Sequence, residues 1–191
     1  PVEYVCAPLR DERNSIRGAV VSFRDVSERR RAERMQAART SILERIAAGA
    51  SLEAVLRRIA LAIEDECPGA LASIVVLDSE GRRMRHGASP SLPEEYVRAT
   101  DGAEIDGNGS AGAMAIRSGL PLVLPDIAAA DVPDACKELA RRYGVRSCCS
   151  VPVRDAAGTV IASFALYRAA VHVKPRADLD TIAGFANLVS I

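Results

Sequence analysis

The sequence has no surplus of either charge: 25 lysines and arginines face 25 aspartates and glutamates in 191 residues. A general nucleic-acid footprint needs a basic excess on one face, so this balance leaves small molecules or other proteins as partners. No apolar run reaches the ~18 residues of a membrane span, and no signal-peptide pattern opens the chain. Cys6, Cys67, Cys136, Cys148 and Cys149 form an odd set without a CxxC spacing. A disulfide scaffold or a zinc site is therefore a poor reading, and reduced thiols in a cytoplasmic protein are expected. His86 and His172 stand far apart with no carboxylate-rich frame, so no metal site is expected either, and His86, on the polar stretch RRMRHG, reads as solvated. The segment DGNGSAGAMAI has glycines at 107, 109 and 112 ahead of a helix whose free N–H groups could hold an anion. It lacks the lysine of a phosphate-binding GxxxxGK[ST] loop, so it reads as a loop closing over a pocket or as a tight bend.

What is present is enough apolar residue, 49%, for a sizeable core. Val2–Pro8 and Gly18–Phe23 read as a hairpin across RDERNS, whose Asp, Asn and Ser suit a turn. Two strands alone are marginal in water, so this hairpin needs more sheet from elsewhere. Ser27 then caps a long charged helix in which Ala32, Met35, Ile42 and Ile46 form a narrow stripe interrupted by Arg39, as in a two-helix coiled coil. Gly49 breaks that helix, Ser51 caps the next, and Leu52, Val55, Leu56, Ile59 and Ile63 mark its apolar face.

From about Ser41 the expected order is helix, helix, strand, strand, helix, helix, strand, helix, strand, strand, helix. The last two strands, VRSCCSVPV and TVIASFALY, are joined by RDAAG and must run antiparallel. Mixed rather than alternating elements make this an α+β domain: a central antiparallel sheet of five to six strands with helices on both faces, preceded by the hairpin and the long linker helix. Adjacent strand residues point to opposite faces, so Cys148 and Cys149 cannot serve one site, and buried thiols acting as small hydrophobes are the expectation. The chain starts in strand-like sequence and stops in helix-like sequence, which reads as an excerpt of a longer protein.

The segments SILERIAAGASLEAVLRRIALAIE, SIVVLDSEGRRMRHGASPSLPEEY, GSAGAMAIRSGLPLVLPDI and YGVRSCCSVPVRDAAGTVIASFALY together resemble a GAF domain, the small-molecule sensor module of signalling proteins, in the subtype found beside bacterial histidine kinases and cyclic-di-GMP enzymes. GAVVSFRDVSERRRAE resembles the last strand and exit helix of a PAS domain, with Asp25 and Ser27 in the places of its Asp-x-[Thr/Ser] signal-transfer motif. The resemblance implies three parts: residues 1–26 as the closing hairpin of a truncated PAS domain, 27–49 as a signalling linker helix and 50–191 as the GAF domain. APLRDERNSIRGAVVSF and VPVRDAAGTVIASFALY, which echo one another, are then the closing hairpins of two related folds rather than a duplication.

The function so implied is a non-catalytic sensory module, binding an unidentified small molecule or passing a signal through dimer helices to a histidine kinase or a diguanylate cyclase or phosphodiesterase. A homodimer through the linker and terminal helices is expected. The candidate pocket is Ser110, Cys149 and Tyr167, with Asp25 and Ser27 in signal transfer and no catalytic residue. Ala111 stands where the subtype often has Cys, and Cys149 where it often has Trp. The Cys-His pair of bilin-binding GAF domains and the Asn-Lys-Phe-Asp-Glu pattern of cyclic-nucleotide-binding ones do not occur, so the cofactor is unknown. One alternative is a thiol enzyme like the GAF-fold free methionine sulfoxide reductases, although CCSVPV lacks that family's acid. The other is a ligand-free dimer spacer whose pocket is filled by its own side chains.

Overall fold

The computed structural model describes residues 1–106, 110–172 and 176–187. In chain order the elements are β1 (Val2–Arg10), β2 (Ile16–Asp25), α1 (Ser27–Ala47), α2 (Leu52–Glu66), β3 (Leu71–Leu77), β4 (Met84–Ala88), α3 (Glu94–Thr100), α4 (Ala111–Ser118), β5 (Leu122–Leu124), α5 (Asp134–Arg142), β6 (Ser147–Arg154), β7 (Val160–Arg168) and α6 (Arg176–Ala186). They divide into two units, Pro1–Thr40 and Ser41–Ile191, with the division inside α1.

In the first unit β1 and β2 pair antiparallel around a turn organised by Asp11, whose carboxylate accepts from the backbone N–H groups of Arg13 and Ser15, both at 2.9 Å. The Ser15 N–H and the Arg17 guanidinium hold that carboxyl below the usual range. Every strand residue is exposed, on both faces. One face is almost wholly apolar, with Tyr4 opposite Phe23, Cys6 opposite Val21 and Pro8 opposite Ala19. At the open end the Val26 N–H donates to Pro1 O at 3.1 Å and Arg29 pairs with Glu3, so the start of α1 is tied to the start of β1.

The second unit is built on a five-stranded antiparallel sheet in the order β4-β3-β7-β6-β5. The element order from Ser41 is the one expected from the sequence. Helices α2 and α6 pack on one face. Ser51 Oγ accepts from the Ala54 N–H and starts α2, and Val55, Leu56, Ile59 and Ile63 are buried at helical spacing. Leu52, expected on the same stripe, is exposed because it precedes the turn that meets the sheet. Full burial of Phe164, Phe185, Ile59, Ile63 and Ile182 contributes about 1.5–3 kcal/mol for each large apolar side chain.

Helix α4 lies on the opposite face, over β6 and β7. Its buried residues are small, Ala111, Gly112, Ala113 and Ala115, which lets the backbone approach the sheet. A Cβ on Gly112 would stand 3.3 Å from Val75 Cγ2. The sheet there is narrow-sided as well: Ser150 and Ser163 are fully buried and hydrogen-bond each other at 2.5 Å.

On the α2 side, the pairing of β3 with β4 shifts register at Ile74/Val75 and leaves Gly87 as the extra residue. A Cβ on Gly87 would meet Leu56 Cδ1 at 2.5 Å. Gly87→Ala therefore forces the fully buried Leu56 to repack, and chemical denaturation should show a loss of about 1–3 kcal/mol. An unchanged midpoint would show that Leu56 has free space to move into.

Candidate functional site

The face of the sheet shared by α3, α4 and α5 carries an aromatic cluster. Pairing of Cys148 with Tyr167, Leu124 with Cys148 and Leu71 with Tyr167 sets these residues on one side of the sheet. Tyr96 on α3 packs edge-on against Tyr167 at 5.5 Å and against Tyr143, just beyond α5, at 5.7 Å. Burial pushes the phenols of Tyr96 and Tyr167 above their usual pKa. Leu92, Ala111, Leu124, Ile127, Cys136, Ala140, Val145 and Ala165 complete the cluster. Behind it, α5 and the segments flanking it open a groove of about 410 Å³. Ile127, Ala140 and Val145 belong both to that groove and to the tyrosine cluster, while Lys137, Glu138 and Arg141 stand at its rim.

His86 borders the same region. It is half-buried rather than solvated, because the β4 register turns its ring toward α3. Its ring nitrogens contact Ser89 Oγ and Thr100 Oγ1, each at 2.8 Å, and its backbone N–H donates to Asp101 Oδ1 at 2.8 Å. Desolvation lowers its pKa, against a smaller opposing pull from the Asp101 charge.

The opposite face holds a second polar cluster. Arg168 donates two hydrogen bonds to Asp178, at 2.9 and 3.0 Å, and a third to Pro68 O at 2.8 Å, which joins β7 to α6 and to the end of α2. His172 Nε2 lies 3.4 Å from the same carboxylate. A cavity of about 10 Å³ is lined there by Ser147, Cys149, Arg168, His172 and Asp178 among others. Cys67 lies close enough to Thr181 and Asp178 for both to act on its thiol. Burial pushes the Cys67 thiol up to about 11 and the Cys149 thiol up to about 12, and it raises Cys136 and Cys148 on the tyrosine side as well. Among the described residues no cluster of three or more His, Cys, Asp or Glu side chains is placed to hold a metal.

The residues singled out from the sequence are therefore only partly brought together. Ser110 caps α4, accepting from the Ala113 N–H, beside the Ala111 that joins the tyrosine cluster. Tyr167 lies in that cluster. Cys149 does not: it pairs with Leu166 and faces the Arg168–Asp178 side, so it cannot line one pocket with Tyr167. Cys148 takes its place, as two-residue alternation along β6 requires. Sequence reasoning missed Tyr96, Cys136 and Tyr143, which come from two separate short helices and share no spacing; their convergence is purely tertiary. Asp25 and Ser27 are joined, but not as the expected cap: Asp25 Oδ1 accepts from the Ser27 N–H at 2.8 Å and from Ser27 Oγ at 2.6 Å, which holds the Asp25 carboxyl below its usual pKa, and α1 begins at Ser27 itself, whose hydroxyl donates to Asp25 rather than accepting from the helix.

A family model described as GAF domain matches residues 51–191. A methyl sulfide methyltransferase-associated sensor of Methanosarcina acetivorans is 30% identical over 189 residues, covering 95% of this chain. The chain spans 19% of that relative's length. A domain assigned to a two-component sensor histidine kinase protein of Sinorhizobium meliloti 1021 superposes with a TM-score of 0.60 at 22% identity, covering 73% of this chain and 88% of that one. The free methionine-R-sulfoxide reductase of Neisseria meningitidis, in complex with its substrate, superposes with a TM-score of 0.65 at 13% identity, over 84% of this chain and 86% of that one. At these identities the two structures share the fold alone.

Thiol titration follows from the burial pattern. Cys6 is exposed and the other four thiols are buried. At pH 8 a thiol reagent should label one cysteine rapidly in the native protein and the remaining four only on unfolding. Rapid labelling of a second would reveal an activated thiolate. Removal of one partner from the nearly buried Arg168–Asp178 pair should cost about 3–5 kcal/mol. Asp178→Ala checks this by denaturant unfolding.

Proposed function

From the premise that the chain belongs to the GAF domain family, we propose that it is a sensory module of a larger signalling protein and carries no catalysis of its own. The sensory site is the tyrosine face between the sheet and helices α3, α4 and α5. The observation that carries this reading is the shared wall: the groove beside α5 reaches Ile127, Ala140 and Val145, the same side chains that back Tyr96 and Tyr167. A ligand entering there reaches the cluster by displacing rings, with no strand of the sheet broken. The residues proposed to meet it are Tyr96, Tyr167 and Cys148, with Ser110 at the head of α4.

The name of the methyl sulfide methyltransferase-associated sensor supports a sensory role for a homologous stretch, although that protein is some five times as long as the match. The output of this chain is proposed to be a histidine kinase or a cyclic-di-GMP enzyme reached through helices. Residues 1–26 are proposed to close a PAS-type sheet, which accounts for strands exposed on both faces, and α1 to be the dimerising linker. In support, Met35 is half-buried while Leu43 and Ile46 lie exposed along it. The thiol-enzyme reading is disfavoured by raised pKa values at all four buried cysteines, which leave almost no nucleophilic thiolate at neutral pH.

One observation favours a second reading, the ligand-free spacer: the three rings pack against each other at 5.5 and 5.7 Å and fill the middle of the face themselves. Native mass spectrometry of the purified protein separates the two. The sensor reading expects a retained small molecule whose occupancy falls in Ala140→Trp, which blocks the groove. Bare protein from several growth conditions supports the spacer. Light scattering at micromolar concentration should give a dimer that Met35→Arg converts to monomer; a wild-type monomer would remove the linker argument.

A further inference from the structure

The groove beside α5 has a wall and a rim of different chemistry. The wall is apolar, with Ile127, Ala140 and Val145 all buried. Two of its main-chain donors are already used: the Ile127 N–H donates to Arg146 O and the Val145 N–H to Ala140 O, each at 2.8 Å. Most of the rim charge is matched as well. Arg141 donates two hydrogen bonds to Glu138, at 2.6 and 3.0 Å. Arg146 pairs with Asp126 at 3.0 Å, and the other oxygen of that carboxylate accepts from the Ala128 N–H at 3.1 Å. Among the described residues, two charges of the lining stand outside any ion pair, Lys137 and Asp134. They are not equivalent. Lys137 is half-buried and Asp134 exposed. Lys137 precedes Ala140 by three residues, so the two are neighbours on the helix surface, whereas Asp134 lies six residues away at the first position of α5. There the free N–H groups of the first turn offset a negative charge. The unmatched charge beside the apolar wall is thus a single cation.

We propose that the groove binds an organic monoanion with an apolar body, its negative group on the Lys137 ammonium and its body against Ile127, Ala140 and Val145. The inference rests on the groove being the way to the sensory face, and it names the class of molecule that uses it. A cation has only Asp134 to pair with, a full turn further from the wall. A ligand rich in hydroxyls buries them against apolar side chains, where they lose their water without gaining partners. A polyanion exceeds the charge of Lys137 and must draw Arg141 from Glu138 or Arg146 from Asp126, both charge-assisted pairs. The volume of about 410 Å³ lies toward the lower end of the usual range for small-molecule sites.

Octanoate is the probe, with octylammonium as the cation of equal length. In amide NMR of the whole chain at low salt, the signals of α5, Ile127 and Val145 should move and saturate with octanoate and should not respond to octylammonium. Lys137→Gln should weaken octanoate binding by about tenfold, the scale of one hydrogen bond to a charged group, and Lys137→Arg should restore most of it. Added salt should weaken binding in the wild type and leave Lys137→Gln almost unchanged, because the interaction is between charges at a solvent-exposed rim. Unshifted amide signals in the sheet verify that both variants fold, and the comparison of the two probes uses the wild type alone. Octylammonium binding as tightly as octanoate overturns the proposal, as does full affinity in Lys137→Gln, the absence of any saturable shift with octanoate, or saturation that leaves α5 unmoved. The ring signals of Tyr96 and Tyr167 separate this inference from the sensor reading. Octanoate held at α5 with both rings unperturbed sinks the tyrosine face as the sensory site and leaves the ligand class standing. A cationic or uncharged molecule retained through purification, in a protein that ignores octanoate, overturns the ligand class and keeps the sensor.

Discussion

The register between β6 and β7 is the constraint on which the rest depends. With Cys148 opposite Tyr167 and Cys149 opposite Leu166, one strand pair sorts its side chains into two chemically different layers. A slip of a single residue would exchange them, putting Tyr167 against α6 and the Arg168 guanidinium among the tyrosines. Arg168 opposes such a slip, because its three hydrogen bonds to Asp178 and Pro68 O exist only when β7 is seated as observed. The ion pair therefore matters less as a source of net stability than as a lock on which face is which.

The two faces are built by different rules. The α2–α6 layer is filled with large aliphatic and aromatic groups, Leu56, Ile59, Ile63, Phe164 and Phe185, and is a core of the ordinary kind. The α3–α4–α5 layer instead places serines and alanines under α4 and concentrates its bulk in tyrosines from separate elements. Hydroxyl and imidazole groups are threaded through it in directional chains, so its arrangement is specified by hydrogen-bond geometry more than by volume. A layer of this kind has discrete alternatives, reached by turning a ring or reversing a hydroxyl, which a close-packed aliphatic layer lacks.

Much of this was legible in the sequence. The order of elements from Ser41, the antiparallel closing strands, the cap at Ser51 and the separation of Cys148 from Cys149 all follow from local periodicity and turn chemistry, and the structure shows them. The Asp25–Ser27 pairing is made within three residues, yet its direction was not legible: the Ser27 hydroxyl donates to Asp25 instead of capping the helix. What was hidden depends on long-range pairing. Whether Cys148 or Cys149 shares a side with Tyr167 turns on the register of two strands, which alternation alone leaves open. Tyr96 and Tyr143 meet only because α3 and α5 fold over the same sheet, and His86 looked solvated because RRMRHG is polar until Thr100 arrives beside it.

The tyrosine cluster has a spectroscopic corollary. The chain contains no tryptophan and four tyrosines, and three of the four are in this one cluster. The fourth, Tyr4, is exposed on the hairpin. Three of the four tyrosine chromophores of the native protein thus lie on the face proposed to sense. Any rearrangement of those rings changes the optical signal with no label attached, and replacing Tyr4 would leave a protein whose tyrosines are confined to that one cluster.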